Sequence, residues 1–254
     1  MTLRSLKKSL PYVLPVFLIS ISLASTPSLL ATKAGPVVPD LEIPAPVVKE
    51  TEVNVSEKAA MLYDELELQK KGLSEDAFIY AMKGFDKLVK EGKVSNKRLL
   101  TVADFTKSSA QKRFFVIDVK NEKVLYHTWV AHGRGSGGEF ANSFSNIPES
   151  YQSSLGFYVT SGTYNGKNGF SMRLEGLEAG INSNALNRAI VIHGAPYVSQ
   201  GFINARGYIG RSHGCPALPE NLNKPIIETI KDGSLLFIYS TKNNYTERSR
   251  ILNA

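Results

Sequence analysis

The hydrophobic period of this 254-residue chain changes near Asn96, and the change divides it into a helical segment and a β portion. Before it, Ser56 starts one amphipathic stretch. Ser74, followed by Glu75 and Asp76, starts another, with Gly72 between them. Ala59, Leu62 and Leu66 in the first, and Phe78, Ala81, Phe85 and Leu88 in the second, recur at helical spacing and read as packing faces. After it, residues 113–119 (RFFVIDV) and 124–132 (VLYHTWVAH) flank a short turn and read as a β-hairpin. Further strand candidates follow at GFYVTSGTY, SMRLEGL, AIVIHG and SLLFIYS, separated by turns such as NGKNG. Before the last of them, PENLNKPIIETIKDG predicts one or two short helical turns, with Pro219 and Pro225 at first positions and Gly233 closing the stretch. The expectation is a mainly-β domain over residues 96–254 with short helices, preceded by a helical extension at 57–95; about 150 residues suffice to bury one core.

The N-terminus follows a different pattern. Arg4, Lys7 and Lys8 precede an apolar run from Val13 to Ala24, the arrangement of a secretory signal peptide over residues 1–24, with small residues that also allow a cut as late as 34. The run is shorter than the roughly 20 apolar residues of a membrane span, so an uncleaved anchor is the lesser alternative. Residues 25–56 are proline-rich and sustain no period, as an extended linker does. The expected location is therefore outside the cytoplasm, in the periplasm or cell envelope. Loss of the signal removes three positive charges from a formal +7, leaving a mildly basic chain suited to an anionic envelope polymer. No dense Lys/Arg tract with interleaved aromatics is present, which argues against nucleic acid.

In an exported chain a single cysteine carries weight. Cys215 has no internal disulfide partner, and an idle exposed thiol in an oxidising compartment is a liability. All four histidines, His127, His132, His193 and His213, lie in the β portion, and His213 stands two positions before the thiol in GRSHGCPALPE. A neighbouring imidazole accepts a thiol proton and stabilises the thiolate, and a carbonyl beside His193, such as that of Gly194, would fix the ring's tautomer. Successive N–H groups at His213, Gly214 and Cys215 would point at a developing oxyanion. The plainer alternatives stand beside this one: a small buried thiol and structural histidines. The glycine-rich run at 133–138 (GRGSGG) lacks the Gly-Lys-Ser/Thr ending of a phosphate loop and does not open a helix, which argues against a nucleotide. As a mobile loop bordering the site it would bring His132 and Arg134 to a substrate carboxylate; as a plain turn it would not. No HxH, HExxH or CxxC spacing supports a metal centre, and no cofactor is expected.

The pair formed by IHG (Ile192 to Gly194) and SHGC (Ser212 to Cys215) resembles the L,D-transpeptidase catalytic domain family, over roughly Leu99 to Ser240. The resemblance implies a β-sandwich-like catalytic fold and an exported enzyme acting on peptidoglycan stem peptides. Cys215 would attack the carbonyl of the third, diamino-acid residue of a donor stem, releasing the terminal D-alanine and leaving a thioester. His193 would be the general base, Gly194 its orienting carbonyl, and His213, Gly214 and Cys215 the oxyanion segment, with Ser212 and Arg211 beside the substrate. An amine of a second stem would then form a crosslink; water would make the protein an L,D-carboxypeptidase. Many members carry arginine two positions after the cysteine, where this chain has Ala217, and Arg211 would supply a comparable charge. That departure also keeps open a wall-binding protein of the same fold without turnover.

Overall fold

The computed structural model describes residues 54–253. The expected signal segment, its alternative cut at 34 and the linker up to residue 53 lie outside them.

Helix α1 (Val55–Glu65) begins one residue earlier than Ser56, because Asn54 is the cap and its side chain accepts the Ser56 N–H at 3.1 Å. Helix α2 (Glu75–Lys90) follows Ser74 as expected, with Glu75 and Asp76 in its first turn and Lys87 and Lys90 in its last, each complementing the helix dipole. Ser74 does not cap with its side chain; its hydroxyl and N–H both donate to Asp104, at 2.7 and 3.0 Å, tying the helix start to the sheet. Every apolar position of the two expected stripes is buried in one core shared with the strands.

The strands are β1 (Leu99–Asp104), β2 (Phe114–Asp118), β3 (Lys123–Thr128), β4 (Gly156–Gly166), β5 (Gly169–Gly176), β6 (Val191–Gly194), β7 (Ala217–Leu218) and β8 (Leu235–Tyr239). They form a mixed sheet ordered β3-β2-β1-β8-β4-β5-β6-β7, so the mainly-β expectation holds, including the 114–128 hairpin and the turn between β4 and β5. Two of its pairings, β1 with β8 and β6 with β7, are parallel. Beyond β3 the chain crosses to the far edge, where Ala131 bridges Ala217 of β7. The two edges therefore approach each other and the sheet nearly closes. β1, β2 and β8 are buried along their whole length.

Helix α4 (Glu220–Ile230) is continuous, and Pro225 lies inside it instead of starting a second turn. The missing Pro225 N–H removes one intrahelical bond, but burial of Asn223, Ile226, Ile227 and Ile230 on one face keeps the helix intact. At the C-terminus, α5 (Tyr245–Arg248) and α6 (Arg250–Asn253) are joined to the sheet through buried Glu178, which accepts hydrogen bonds from Tyr245, Ser249 and the Phe157 N–H.

His132 is fully buried and does not face a substrate, correcting the expectation from its place beside the glycine-rich run. Its Nδ1 lies 2.7 Å from a guanidinium nitrogen of Arg113, which is itself fully buried and also donates to the carbonyls of Val130 and Lys107. An arginine can only donate, so Nδ1 accepts and the imidazole is neutral.

Two predictions follow from this packing. Gly84 of α2 abuts the Phe157 ring, where an added Cβ would come within 2.1 Å, and that ring is held by stacking on Phe237 at 4.2 Å. Gly84→Ala should lower stability in chemical denaturation by about 1–3 kcal/mol, although the same change on an open helix face raises it by about 1 kcal/mol. Burial, and secondarily Arg113, holds the His132 imidazole down at about 3, whereas an unfolded histidine titrates near 6.5. The unfolded chain therefore takes up this proton first as pH falls, and His132 costs stability progressively between about 6.5 and about 3. Denaturation midpoints of wild type and His132→Gln should diverge over that interval, the wild type losing more.

Candidate active site

His193 and Cys215 stand 22 positions apart in sequence, and the sheet explains the separation. β6 and β7 are parallel neighbours with His193 opposite Ala217. Parallel neighbours need a long crossover, which here runs through 195–216 and contains helix α3 (Gln200–Arg206). His193 and Cys215 thus line one cleft of about 530 Å³, together with Gly194, Tyr197, Arg211, Ser212, His213, Lys167 and Glu220.

His193 is buried at the end of β6, and its Nδ1 lies 2.9 Å from the Gly194 carbonyl. A carbonyl only accepts, so Nδ1 carries the proton and Nε2 keeps a free lone pair. Burial lowers the imidazole's affinity for a second proton, while the Gly194 carbonyl works in the other direction. Cys215 is half-buried, and its Sγ donates to the Ala189 carbonyl at 3.6 Å. Burial pushes the thiol up; the Val191 N–H, the Arg188 charge and its own N–H oppose that shift. Thiol and imidazole are both driven toward their neutral forms at rest.

The residues around the thiol divide into two groups. Arg211 and His213 are exposed toward the cleft. Ser212 is buried and turned inward: its hydroxyl donates to the Cys215 carbonyl at 2.6 Å and accepts the Gly214 N–H at 3.1 Å. Its hydroxyl braces the turn. The Gly214 N–H is therefore committed, whereas the His213 and Cys215 N–H groups donate to no other residue among the described ones.

Gly214 has φ 123°, a left-handed value that only glycine adopts freely, and an added Cβ would meet the Gln152 carbonyl at 2.9 Å. Gly133 packs directly on it: a Cβ there would fall 2.9 Å from Gly214 Cα and 2.2 Å from the Tyr151 carbonyl. The glycine-rich run thus lies beside the thiol segment as a bordering loop. It is anchored, not free, by Gly133 N–H to Ser153, Arg134 N–H to the Ser212 carbonyl and Gly135 N–H to the Tyr151 carbonyl. Arg134 projects outward from it, its guanidinium 4.0 Å over the Tyr151 ring.

One residue escaped the sequence reading. Arg188, in the loop before β6, donates to the Ser145 carbonyl, Ser154 Oγ, Ser150 Oγ and the Gln152 carbonyl at 2.6–3.3 Å. It is the cation that acts on the Cys215 thiol, the part expected of Arg211. It stands immediately before the motif AIVIHG, five positions ahead of the histidine, where its residue type alone gave no interpretable signal.

The family model described as L,D-transpeptidase catalytic domain matches residues 69–239. Solved structures similar to the chain include an L,D-transpeptidase from Mycobacterium smegmatis, at 15% identity and TM-score 0.34 over 56% of this chain and 59% of that one. Others are the helical cell shape determining protein Pgp2 from Campylobacter jejuni, at 14% and 0.38 over 65% and 57%, and an L,D-transpeptidase (Yku) from Stackebrandtia nassauensis, at 14% and 0.35 over 74% and 80%. The chain spans less than two thirds of the first of these, and comparison with curated proteins returned no match. With 171 consecutive residues (69–239) inside the family model, the chain belongs to the L,D-transpeptidase catalytic domain family.

Proposed function

We propose that this protein is exported to the cell envelope and acts there as a cysteine-dependent L,D-transpeptidase on peptidoglycan stem peptides. The observation that carries the reading is the shared cleft: a half-buried thiol, and an imidazole whose Nδ1–H is held by Gly194 so that Nε2 can take a proton. In the first step Cys215 Sγ attacks the carbonyl of the diamino-acid residue, and its proton passes to His193 Nε2. The amide C–N bond breaks, the proton goes to the departing amine, and a thioester remains. The N–H groups of His213 and Cys215 suit the transient oxyanion, since neither is engaged elsewhere among the described residues. In the second step an acceptor amine attacks the thioester carbonyl, gives up its proton through His193 and returns the free thiol.

The neutral resting pair bears on this scheme. A half-buried thiol whose pKa is raised reacts less readily with the oxidants of an exported compartment, and becomes a stronger nucleophile when a bound substrate brings the base into play. Arg188 and Gly194 are positioning residues in this reading: the first biases the thiol toward its anion, the second fixes the ring.

Wild-type protein mixed with a tetrapeptide donor should gain the mass of the acyl tripeptide on Cys215 and lose it on adding an acceptor amine, with dimeric stems as product. Cys215→Ala should gain nothing, and His193→Gln should acylate about 10²–10⁴-fold more slowly. Shortened monomers in place of dimers would assign the site to a carboxypeptidase, and an unmodified wild type that sediments with sacculi would assign it to a binding protein. Alkylation of Cys215 by iodoacetamide should speed up only toward alkaline pH, and its profile should move to still higher pH in Arg188→Gln, because the charge that lowers the thiol is gone. An unchanged or lowered profile would remove Arg188 from this role.

A further inference from the structure

A second groove of about 360 Å³ adjoins the cleft on the side of α3. Tyr197, Arg211 and His213 line both, so a molecule lying in the groove reaches the thiol segment without leaving the surface. The groove has a charge of one sign. Arg134, Arg206 and Arg211 all face it, and no carboxylate lines it, whereas the Cys215 cleft includes Glu220.

None of these three arginines forms an ion pair among the described residues. They are oriented instead by neutral partners: Arg134 over the Tyr151 ring at 4.0 Å, Arg206 over the Phe202 ring at 5.6 Å, and Arg211 by donating to the Gly137 carbonyl at 2.9 Å. Tyr151 in turn packs on His213 with ring centroids 4.8 Å apart, joining the Arg134 contact to the thiol segment. Three guanidiniums converging on one groove repel one another unless an anion enters it. A guanidinium held by one face or one N–H still has donors in its planar fork, the geometry that takes a carboxylate through two parallel hydrogen bonds.

The geometry points to this groove as the subsite for the free carboxylates of the acceptor stem peptide, with Arg206 as a recognition residue. The assignment rests on the transpeptidase reading, because a second substrate must reach a thioester in the cleft, and the groove joins that cleft at Tyr197, Arg211 and His213 without including Lys167 or Glu220. An acceptor whose carboxylates are seated on Arg134 and Arg206 would present its amine past His213 and Tyr197 toward the thioester carbonyl.

The test is calorimetric binding to the full chain carrying Cys215→Ala, which reads recognition without turnover. The probe is a stem peptide with free carboxylates, set against the same peptide with those carboxylates amidated. The free form should bind about tenfold more tightly, the size of one lost charge-assisted pair. Adding Arg206→Gln should abolish most of that preference, while the remote, exposed Lys97→Gln should leave it intact. Equal affinity for the two peptides, or a preference that survives Arg206→Gln, overturns the assignment. Tighter binding of a phosphodiester polymer than of the peptide, lost in the same variant, also overturns it. The readout is independent of acylation: absence of an adduct on the wild type would sink the thioester reading and leave this measurement standing.

Discussion

The site depends on a strand only two residues long. Ala217 lies beside His193 in the parallel β6–β7 pair, and on its other side its carbonyl accepts the Ala131 N–H at 2.8 Å. The first contact brings the thiol segment next to the histidine strand. The second draws the chain after β3 across to the far edge, so that residues 133–138 lie on residues 212–215. Neither contact involves a side chain, which is why a short and unremarkable dipeptide can hold the geometry. Backbone pairing requires close approach, and Gly133 against Gly214 supplies it where any Cβ would collide.

The same pairing explains the departure at Ala217. Its side chain is fully buried in a small cluster with Ala131, Ala195, Val198 and Ile209. An arginine there would place a charge among apolar groups with no partner at hand, a desolvation of several kcal/mol in order of magnitude. The cation near the thiol comes instead from Arg188, whose guanidinium is fixed by bonds to the 145–154 segment. Those bonds give Arg188 a second consequence: the same side chain that bears on Cys215 also holds the Ser150 to Gln152 backbone against Gly214. Charge and shape at the thiol are therefore coupled through one residue.

Much of the fold was legible because local signals agreed with it. The two helices show their apolar stripes, and the 114–128 and β4–β5 hairpins show β-branched and aromatic residues flanking short turns. β1 was not legible: both its faces are buried, so LLTVAD has no period of two, and its polar Thr101 and Asp104 are inside. β7 is too short to have a period at all. Pro225 read as a helix start because a proline's backbone preference is local, while the burial that carries α4 through it is not. The glycine-rich run, expected as a mobile border, packs on the thiol segment as an anchored loop, and His132 beside it is buried. Only the approach of Arg113, just before β2, makes its neutral, buried state necessary. Ser212 lines the same cleft, but its hydroxyl closes on the backbone of the very turn it sits in, which only the fold reveals.

By itself, the sequence determined which chemical groups are available and in what order: one thiol, histidines ahead of it, glycines where the backbone must come close, and helical faces before a run of strands. Residue type and periodicity are local properties and survive in a one-dimensional text. Tertiary structure decided which of those groups meet. It set His193 beside the thiol segment and buried His132 and Ser212. It also chose Arg188 over Arg211 as the cation at the thiol and gathered Arg134, Arg206 and Arg211 into one groove. Those outcomes follow from strand register, crossover path and burial, which depend on pairings between distant segments and on the exclusion of water around them.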